Sequence, residues 1–338
     1  MSSTSSPVGL RSFGSRSGFE VSEIGFGAWA IGGSWGADVA EDTALDTLRE
    51  ALALGENFID TADVYGGGRS ERLIRQILAE RPEGGAGLVV VTKTGRMEGW
   101  APELDTMRKH LLASRDRLGV DRIQLVQLHC IATETLKAGQ VFEHLETLKG
   151  EGLIEHYGAS VETIEEGLFC IRETGCVSLQ VIFNLFRQRL LDELLPAAYA
   201  GGVGIIARVP LASGVLTGKF GQGHQFHPAD HRNFNANGEA FNVGETFAGV
   251  EFTEAVRLAG RIGEICREHG VDAPLGQIAL RWILDFPEVS TVIPGGKTPA
   301  QVQGNHAAAA LPPLSQDLHA ALREFYAGEV DARVRGPY

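Results

Sequence analysis

The sequence lacks three features that would each point to a particular class of protein. Basic residues are few: 30 lysines and arginines against 43 aspartates and glutamates give a formal net charge of −13, whereas non-specific nucleic-acid binding needs a basic face. The four cysteines include no C-x-x-C pair and no metal-ligand spacing, so we expect free thiols in a reducing compartment and no metal site. No apolar run reaches the roughly 18 residues of a membrane helix. A cytoplasmic protein that binds neither nucleic acid nor membrane is therefore expected.

No linker rich in proline, glycine or serine divides the chain. Residues 1–9 are predicted to form a flexible N-terminal tail, since they are rich in serine and threonine and have no apolar segment typical of a secretory signal. Residues 10–338 are predicted to form a single domain, which is long enough to bury a core without disulfides. The 43 glycines are spread over short loops, as in a fold with many tight connections.

Short apolar segments alternate along this domain with amphipathic helical patterns. The predicted strands are the segments 23–27, 57–60, 87–93, 123–129, 155–160, 179–183, 203–209 and 289–294. Patterns with apolar residues at three- and four-residue steps predict helices at 44–54, 70–78, 102–118, 141–149, 164–174 and 274–286. This alternation predicts a parallel sheet, and right-handed crossovers favour its closure into a (β/α)8 barrel of the TIM type. An open, doubly wound sheet is the alternative.

The regular spacing is interrupted once, between the seventh and the eighth predicted strands. A long polar loop at 221–249 and an extra helix at 251–269 lie there. A long insertion at the C-terminal face of a barrel is usually functional, and this one is long enough to close over a ligand. Weaker candidates for a substrate pocket within it are His231, Phe234 and Phe241.

Ionisable side chains stand where successive predicted strands end. Asp60 ends the second strand, Lys93 the third and His129 the fourth, and Tyr65 follows Asp60 in the next loop. The carboxyl ends of barrel strands surround one mouth, where active sites are built. Each residue alone has a structural explanation, such as a helix cap for Asp60 or a core position for His129. Four of them at one mouth favour a catalytic group.

These four side chains fit the chemistry of carbonyl reduction. A hydride that reaches a carbonyl carbon leaves an alkoxide, and Tyr65 can donate the proton that the alkoxide needs. Because the ordinary pKa of a phenol is about 10, we expect the Lys93 ammonium to lower the pKa of Tyr65. Asp60 would keep Lys93 charged and oriented, and His129 would donate a hydrogen bond to the carbonyl oxygen.

The segment FIDTADVYG, from Phe58 to Gly66, with the following Ser70-Glu71 resembles the signature of the aldo-keto reductase family. Lys93 and His129 stand at the matching positions for the rest of that family's catalytic tetrad, and the resemblance extends from about residue 10 to residue 309. It implies a TIM-type barrel that binds NADPH, with NAD less favoured. It further implies reduction of small aldehydes, ketones or sugars to alcohols, with Tyr65 as the proton donor.

The resemblance also implies how the nicotinamide is held. Ser160 and Gln180 would bind its carboxamide, while Val161 replaces an asparagine that the family usually has. Arg208 stands where many members have an aromatic residue, and its guanidinium can either stack on the nicotinamide or bind an acidic substrate. Trp29 is equally well explained as part of the substrate pocket and as a packed core residue.

Two later segments resemble the family's contacts to the rest of the cofactor. The pyrophosphate would lie on backbone amides of a tight turn, at Leu211, Ser213, Gly214 and Lys219. The adenosine end would lie near the start of a helix at 299–309, at Gly295, Lys297, Gln301 and Asn305. Pairing of Lys297 with the 2′-phosphate would favour NADP, although Gly304 replaces a residue that is commonly acidic in the family.

Three other functions are compatible with the same residues. The site can work in the oxidative direction as an aldose dehydrogenase, or bound NADP can serve as a redox sensor in a subunit with little turnover. A lyase or isomerase would use Lys93 to form a Schiff base, which the neighbouring Asp60 and the Ser160/Gln180 pair disfavour. Neither the physiological substrate nor the oligomeric state follows from the sequence.

Overall fold

A computed structural model describes residues 8–33, 39–81, 85–221 and 223–338. Most of the predicted N-terminal tail, residues 1–7, lies outside the described residues. Val8 is buried, and the Gly9 carbonyl accepts a hydrogen bond from the Glu23 amide. Two strands that the sequence did not predict, β1 (Leu10–Ser12) and β2 (Glu20–Ser22), pair antiparallel. This hairpin places Phe13 and Val21 against the inside of the barrel.

Eight parallel strands form the barrel, and each pairs with the next along the chain. They are β3 (Phe26–Gly27), β4 (Phe58–Asp60), β5 (Val89–Thr94), β6 (Ile123–His129), β7 (Ile154–Ser160), β8 (Ser178–Ile182), β9 (Gly204–Arg208) and β10 (Thr291–Val292). The first and last strands meet through the parallel bridges Ile24–Val292 and Gly27–Gly295. The predicted (β/α)8 barrel is therefore confirmed, and the doubly wound sheet is excluded.

The described residues form thirteen α-helices, most of which connect the strands around the outside of the barrel. They are α1 (Trp29–Gly32), α2 (Glu41–Ala53), α3 (Arg69–Ala79), α4 (Leu104–Leu118), α5 (Thr133–Lys137), α6 (Gln140–Gly150), α7 (Ile164–Glu173), α8 (Leu194–Ala200), α9 (His231–Phe234), α10 (Phe252–Glu268), α11 (Leu275–Leu284), α12 (Pro299–His306) and α13 (Gln316–Phe325). The six helices predicted from periodicity and the extra helix before α11 are present within a few residues. Among the residues described here, no helix combines the length and apolarity that crossing a bilayer requires.

Alternation along the strands determines which side chains reach the mouth. Phe58, Val91 and Ile206 point into the barrel and pack with one another, whereas their chain neighbours Ile59, Val90 and Ile205 pack against the helices. Because side chains alternate with a period of two, the residues two positions further along also point inward. These residues are Asp60, Lys93 and Arg208. The inward-facing side chains of these strands are thus apolar inside the barrel and charged at its mouth.

The insertion between β9 and α11 lies across this mouth. It contains α9, single helical turns at Val243–Glu245 and Phe247–Gly249, and α10. Glu245 forms ion pairs with Arg96 and Arg208, which lie at two different barrel strands. The long loop is therefore held over the carboxyl ends of the strands.

Candidate active site

Asp60, Tyr65 and Lys93 form one hydrogen-bonded group. The Lys93 Nζ donates to Asp60 Oδ2 at 2.6 Å and lies 3.1 Å from the Tyr65 hydroxyl oxygen. A third bond from Nζ goes to the Thr61 carbonyl at 3.0 Å. Lys93 is fully buried and Asp60 is nearly so, which fixes the ammonium between its two partners. Asp60 and Lys93, predicted at neighbouring strand ends, and Tyr65, predicted in the loop after Asp60, are thus joined through the Lys93 ammonium.

The pKa values within this group follow from burial and charge. Burial favours the neutral amine of Lys93, but the Asp60 carboxylate and the Tyr65 hydroxyl outweigh it and raise the lysine pKa. For Tyr65, burial is the largest influence and raises the pKa, while Lys93 opposes it without reversing it. The expectation that Lys93 lowers the pKa of Tyr65 below its ordinary value is therefore wrong in net direction, because a buried phenolate is poorly solvated.

His129 completes the predicted set and lies beside the tyrosine ring. Its ring centroid is 5.9 Å from that of Tyr65, edge to face. Burial, together with the positive charges of Arg96 and Lys93, lowers the pKa of His129 well below its ordinary value. The imidazole is therefore neutral at physiological pH and has one N–H to donate.

Ser160 ends β7, and Gln180 lies in the middle of the adjacent strand β8. They stand opposite each other in the β7–β8 register, and both are buried. The Gln180 Nε2 donates to Asp60 Oδ1 at 2.7 Å, a contact that the sequence did not predict. Ser160 Oγ accepts a bond from the Cys130 thiol at 3.4 Å.

Arg208 lies in an ionic cluster that joins the barrel to the long loop. Its Nη1 is 3.3 Å from Glu245 Oε1, and the same carboxylate is 2.7 Å from Arg96 Nη2. Burial disfavours a charged Glu245, but Arg96 and Arg208 outweigh it and lower the carboxyl pKa to about 2. The cluster was not predicted from the sequence, because Glu245 lies in a loop without a regular pattern.

The turn proposed for the pyrophosphate has an unusual backbone. Ala212 and Ser213 have φ values of 45° and 54°, and Gly214 follows with 96°. Two amides of this turn are already hydrogen-bonded: the Ala212 N–H donates to the Val209 carbonyl at 3.0 Å, and the Gly214 N–H donates to the Leu211 carbonyl at 2.8 Å. The Ser213 hydroxyl donates to the Glu245 carbonyl at 3.0 Å and accepts from the Phe247 amide at 3.1 Å. Leu211 precedes this turn, and Lys219 follows it in an exposed position.

The segment proposed for the adenosine end is organised around the start of α12. Thr298 caps this helix, and the Gln301 side chain accepts a hydrogen bond from the Lys297 amide at 2.7 Å. Asn305 donates to the Gly295 carbonyl at 3.3 Å. Burial lowers the pKa of Lys297. Gln301 and Asn305 thus shape the backbone that presents Lys297 and Gly295.

Two basic residues near the proposed cofactor segments were missed by sequence reasoning. Arg232 donates to the Ser213 carbonyl at 3.3 Å and pairs with Asp230 at 2.6 Å, and its charge also acts on Lys297. Arg96 lies three residues beyond Lys93. The only sequence signal for Arg96 was its closeness to a strand end. For Arg232, the insertion as a whole was singled out but this residue was not.

Trp29 forms one wall of the mouth. Its ring is 6.1 Å from Tyr65 in a stacked arrangement and 4.8 Å from the His231 ring. Phe241 approaches it edge-on at 6.1 Å, whereas Phe234 contacts Phe241 and is more exposed. Trp29 therefore contacts both Tyr65 and the long loop, and two of the three weaker candidates of that loop join it.

One group of side chains near the mouth has the spacing of metal ligands. Ligand atoms of Cys130, Glu162 and Glu245 lie within 4.8 Å of one another. Glu245 already forms ion pairs with Arg96 and Arg208, and these guanidiniums would repel a divalent cation. The arrangement thus suits the arginines better than a metal ion.

Comparison with known proteins matches the whole barrel to one protein family. A model of the aldo/keto reductase family matches residues 23–327. L-galactose dehydrogenase from Arabidopsis thaliana is 30% identical over 309 residues, which cover 89% of this chain and 88% of the plant protein. NADH-specific methylglyoxal reductase from Escherichia coli is 27% identical over 309 residues, 85% and 90% of the two chains. The solved holo form of an aldo-keto reductase from Bacillus halodurans aligns with a TM-score of 0.74 and 26% identity, over 94% of this chain and 96% of that one.

Proposed function

Because this chain belongs to the aldo/keto reductase family, we propose that it reduces aldehydes or ketones to alcohols with NADPH, with Tyr65 as the proton donor. The observation that carries the proposal is the buried group in which Lys93 bridges Asp60 at 2.6 Å and Tyr65 at 3.1 Å. A phenol beside a fixed ammonium, at the mouth of a barrel, is suited to donating a proton to a developing alkoxide.

Tyr65 is protonated before the reaction and its phenolate is stabilised afterwards. Burial raises the pKa of Tyr65, so the phenol holds its proton at neutral pH. When the proton leaves, the negative charge forms 3.1 Å from the Lys93 ammonium. Asp60 keeps this ammonium charged, and Gln180 in turn holds Asp60 in place.

His129 would orient the carbonyl. Its low pKa makes the imidazole neutral, so it donates a hydrogen bond without competing with Tyr65 as an acid. Trp29, stacked beside Tyr65, would provide an apolar wall of the substrate pocket. Together these side chains would place a carbonyl oxygen between the tyrosine hydroxyl and the histidine N–H.

NADPH, when bound, would supply the hydride. The residues proposed to hold it fall into three groups: Ser160 and Gln180 for the nicotinamide, with Arg208 either stacked on that ring or bound to the substrate, Leu211, Ser213, Gly214 and Lys219 for the pyrophosphate, and Gly295, Lys297, Gln301 and Asn305 for the adenosine end. At the turn proposed for the diphosphate, the exposed Lys219 would supply a charged partner for a phosphate oxygen. The preference for NADP over NAD is supported by Lys297, whereas one relative is NADH-specific.

Oxidation of an aldose is a second candidate function. It is favoured by the similarity to L-galactose dehydrogenase, at 30% identity. The same residues would act in reverse: the Tyr65 phenolate would accept the hydroxyl proton as hydride leaves the sugar carbon. Which direction prevails depends on the substrate and on the cofactor pool.

The direct test is a fluorescence titration of the purified protein with NADPH and, in parallel, with NADH. We expect saturable binding that is tighter for NADPH, followed by consumption of NADPH in a panel of aldehydes. A sugar panel with NADP⁺ tests the oxidative direction. Binding of neither nucleotide would contradict the whole proposal, and equal binding of both would contradict only the cofactor preference.

A further inference from the structure

Arg208 ends β9 with its side chain inside the barrel mouth. It lies two positions after Ile206, whose side chain points into the barrel. Asp60 and Lys93 follow Phe58 and Val91 in the same way, so all three side chains point inward. Only 7% of the residue is exposed. Its Nη2 is 3.5 Å from the Cys130 sulfur and from the Val161 carbonyl, so the guanidinium lies next to the residues that follow His129 and Ser160. The guanidinium therefore lies beside the space proposed for the substrate.

The hydrogen-bonding capacity of this guanidinium is largely unused. The Arg208 Nε is buried and has no hydrogen-bond partner in the described part of the chain. The contacts of Nη2 are both at 3.5 Å, which is long for a hydrogen bond. Leaving buried N–H groups of a charged side chain without acceptors is costly. An oxygen acceptor from a ligand would remove that cost.

The charges around the mouth also favour an anion. One carboxylate, Glu245, is shared by Arg96 and Arg208. Glu162 is 3.5 Å from Arg96, and burial raises the pKa of Glu162.

A third guanidinium, that of Arg187, packs against Gly244. Arg187 is buried and donates to the Pro337 carbonyl. It has no carboxylate partner among the described residues. Two other arginines thus lie near Arg208, and of the two carboxylates that pair with Arg96, Glu162 is the less readily ionised.

We propose that Arg208 binds an anionic group, a carboxylate or a phosphate, on the carbonyl substrate of this protein. The inference rests on the proposed carbonyl reduction and names its substrate class. The planar edge of the guanidinium, with Nε and Nη2 side by side, matches two oxygens of such a group. Glu245 holds the opposite side of the guanidinium through Nη1, and thereby positions Arg208 without using these two donors.

Matched substrates test this assignment. The ratio of kcat/KM for 4-oxobutanoate to that for butanal, which has the same four-carbon chain without the carboxylate, should be at least about tenfold in the unaltered protein. Arg208→Gln should lower this ratio by about 10- to 100-fold, the effect of losing a hydrogen bond to a charged group. The ratio of kcat/KM for glyceraldehyde 3-phosphate to that for glyceraldehyde shows whether phosphate is the preferred anion. The matched control is Arg172→Gln, an exposed arginine of α7, which should leave both ratios unchanged.

A binding measurement separates this inference from the proposed reaction. Calorimetric titration of the NADP⁺-loaded protein with 4-hydroxybutanoate should show binding that 1-butanol lacks and that Arg208→Gln abolishes. That result, without turnover of any aldehyde, would contradict the proposed reaction and retain the anion site. An unaltered protein without preference for the anionic aldehyde, and without binding of 4-hydroxybutanoate, overturns the inference. The inference is also overturned if Arg208→Gln lowers kcat/KM equally for both aldehydes and weakens NADPH binding to the same extent, since Arg208 would then bind the cofactor.

Discussion

The Gln180 amide nitrogen lies 2.7 Å from Oδ1 of Asp60, although the two residues stand on strands at opposite sides of the barrel. The other oxygen of the same carboxylate accepts from Lys93 at 2.6 Å. Asp60 is thus held from both sides, once by the lysine and once by a residue proposed to face the nicotinamide. The aspartate connects the proposed proton donor with the proposed cofactor contact.

Asp60→Asn should destabilise the fold. It leaves the Lys93 ammonium buried without its counter-ion, and breaking a buried pair in this way costs about 3–5 kcal/mol in free energy of unfolding. Urea denaturation measures the change, and Asp60→Asn combined with Lys93→Met should recover part of the loss. The control is Asp46→Asn, which breaks an exposed pair with Arg49 and should cost less than about 1 kcal/mol. Unchanged stability of Asp60→Asn would mean that Lys93 is not held charged by this carboxylate.

Tyr65→Phe should reduce kcat for aldehyde reduction by about 100- to 10,000-fold, the usual contribution of a positioned general acid. NADPH binding, followed by fluorescence, should change little, because the phenol contacts Lys93 rather than the segments proposed for the nucleotide. Tyr199→Phe is the matched control, since Tyr199 is 66% exposed on α8. If Tyr65→Phe turned over aldehydes at the original rate, another group would have to supply the proton.

Lys297→Ala should weaken NADPH binding by roughly 10- to 100-fold, because it removes a charged partner of the 2′-phosphate. NADH, which lacks this phosphate, should bind almost as before. Both dissociation constants can be measured by the same fluorescence titration. Lys149→Ala, at the end of α6 on the outside of the barrel, serves as the control. Equal losses for the two nucleotides would show that Lys297 does not distinguish them.

The sequence predicted the barrel and the group around Lys93 because both depend on local patterns. The spacing of the strands fixes which residues stand at the strand ends, and Asp60, Lys93 and His129 are three of these. The direction of the Tyr65 pKa was not predictable, since it depends on how deeply neighbouring elements bury the phenol. A short motif contains no such information.

Contacts made by the long loop were beyond sequence reasoning for a related reason. Glu245 pairs with residues 149 and 37 positions away, Arg96 and Arg208, and neither a period nor a motif marks it. The hairpin of β1 and β2 was missed because each strand has only three residues. Helix α8 was missed because it spans seven residues and contains Pro196.

Asp63, two residues before Tyr65, should make stability depend on pH. It is fully buried, and burial together with the negative charge of Glu71 raises its pKa to about 7, while Arg117 opposes this and His110 is 4.0 Å away. The folded state then binds more protons than the unfolded state between about pH 4 and pH 7, so stability falls as pH rises through this range. At 1.36 kcal/mol for each pKa unit the loss is on the order of 4 kcal/mol.

Asp63→Asn should remove this dependence. Urea denaturation at pH 5, 6, 7 and 8 should give a flatter profile for the variant, which should exceed the unaltered protein in stability at pH 8. Asp116→Asn is the control, because Asp116 pairs at the surface with Arg115 and should leave the slope unchanged. Parallel profiles for Asp63→Asn and the unaltered protein would show that Asp63 is ionised at pH 5.

The bridges that join β3 to β10 also determine when the barrel can close during synthesis. A chain that has left the ribosome only as far as β9 has seven strands and two unpaired edges, and such edges are where aggregation between chains begins. Both edges are covered once β10 pairs with β9 on one side and Val292 bridges Ile24 on the other. Gly295 and Lys297 follow Val292 within five residues. The nascent chain therefore covers its unpaired strand edges and gains its proposed adenosine contacts at the same stage of translation.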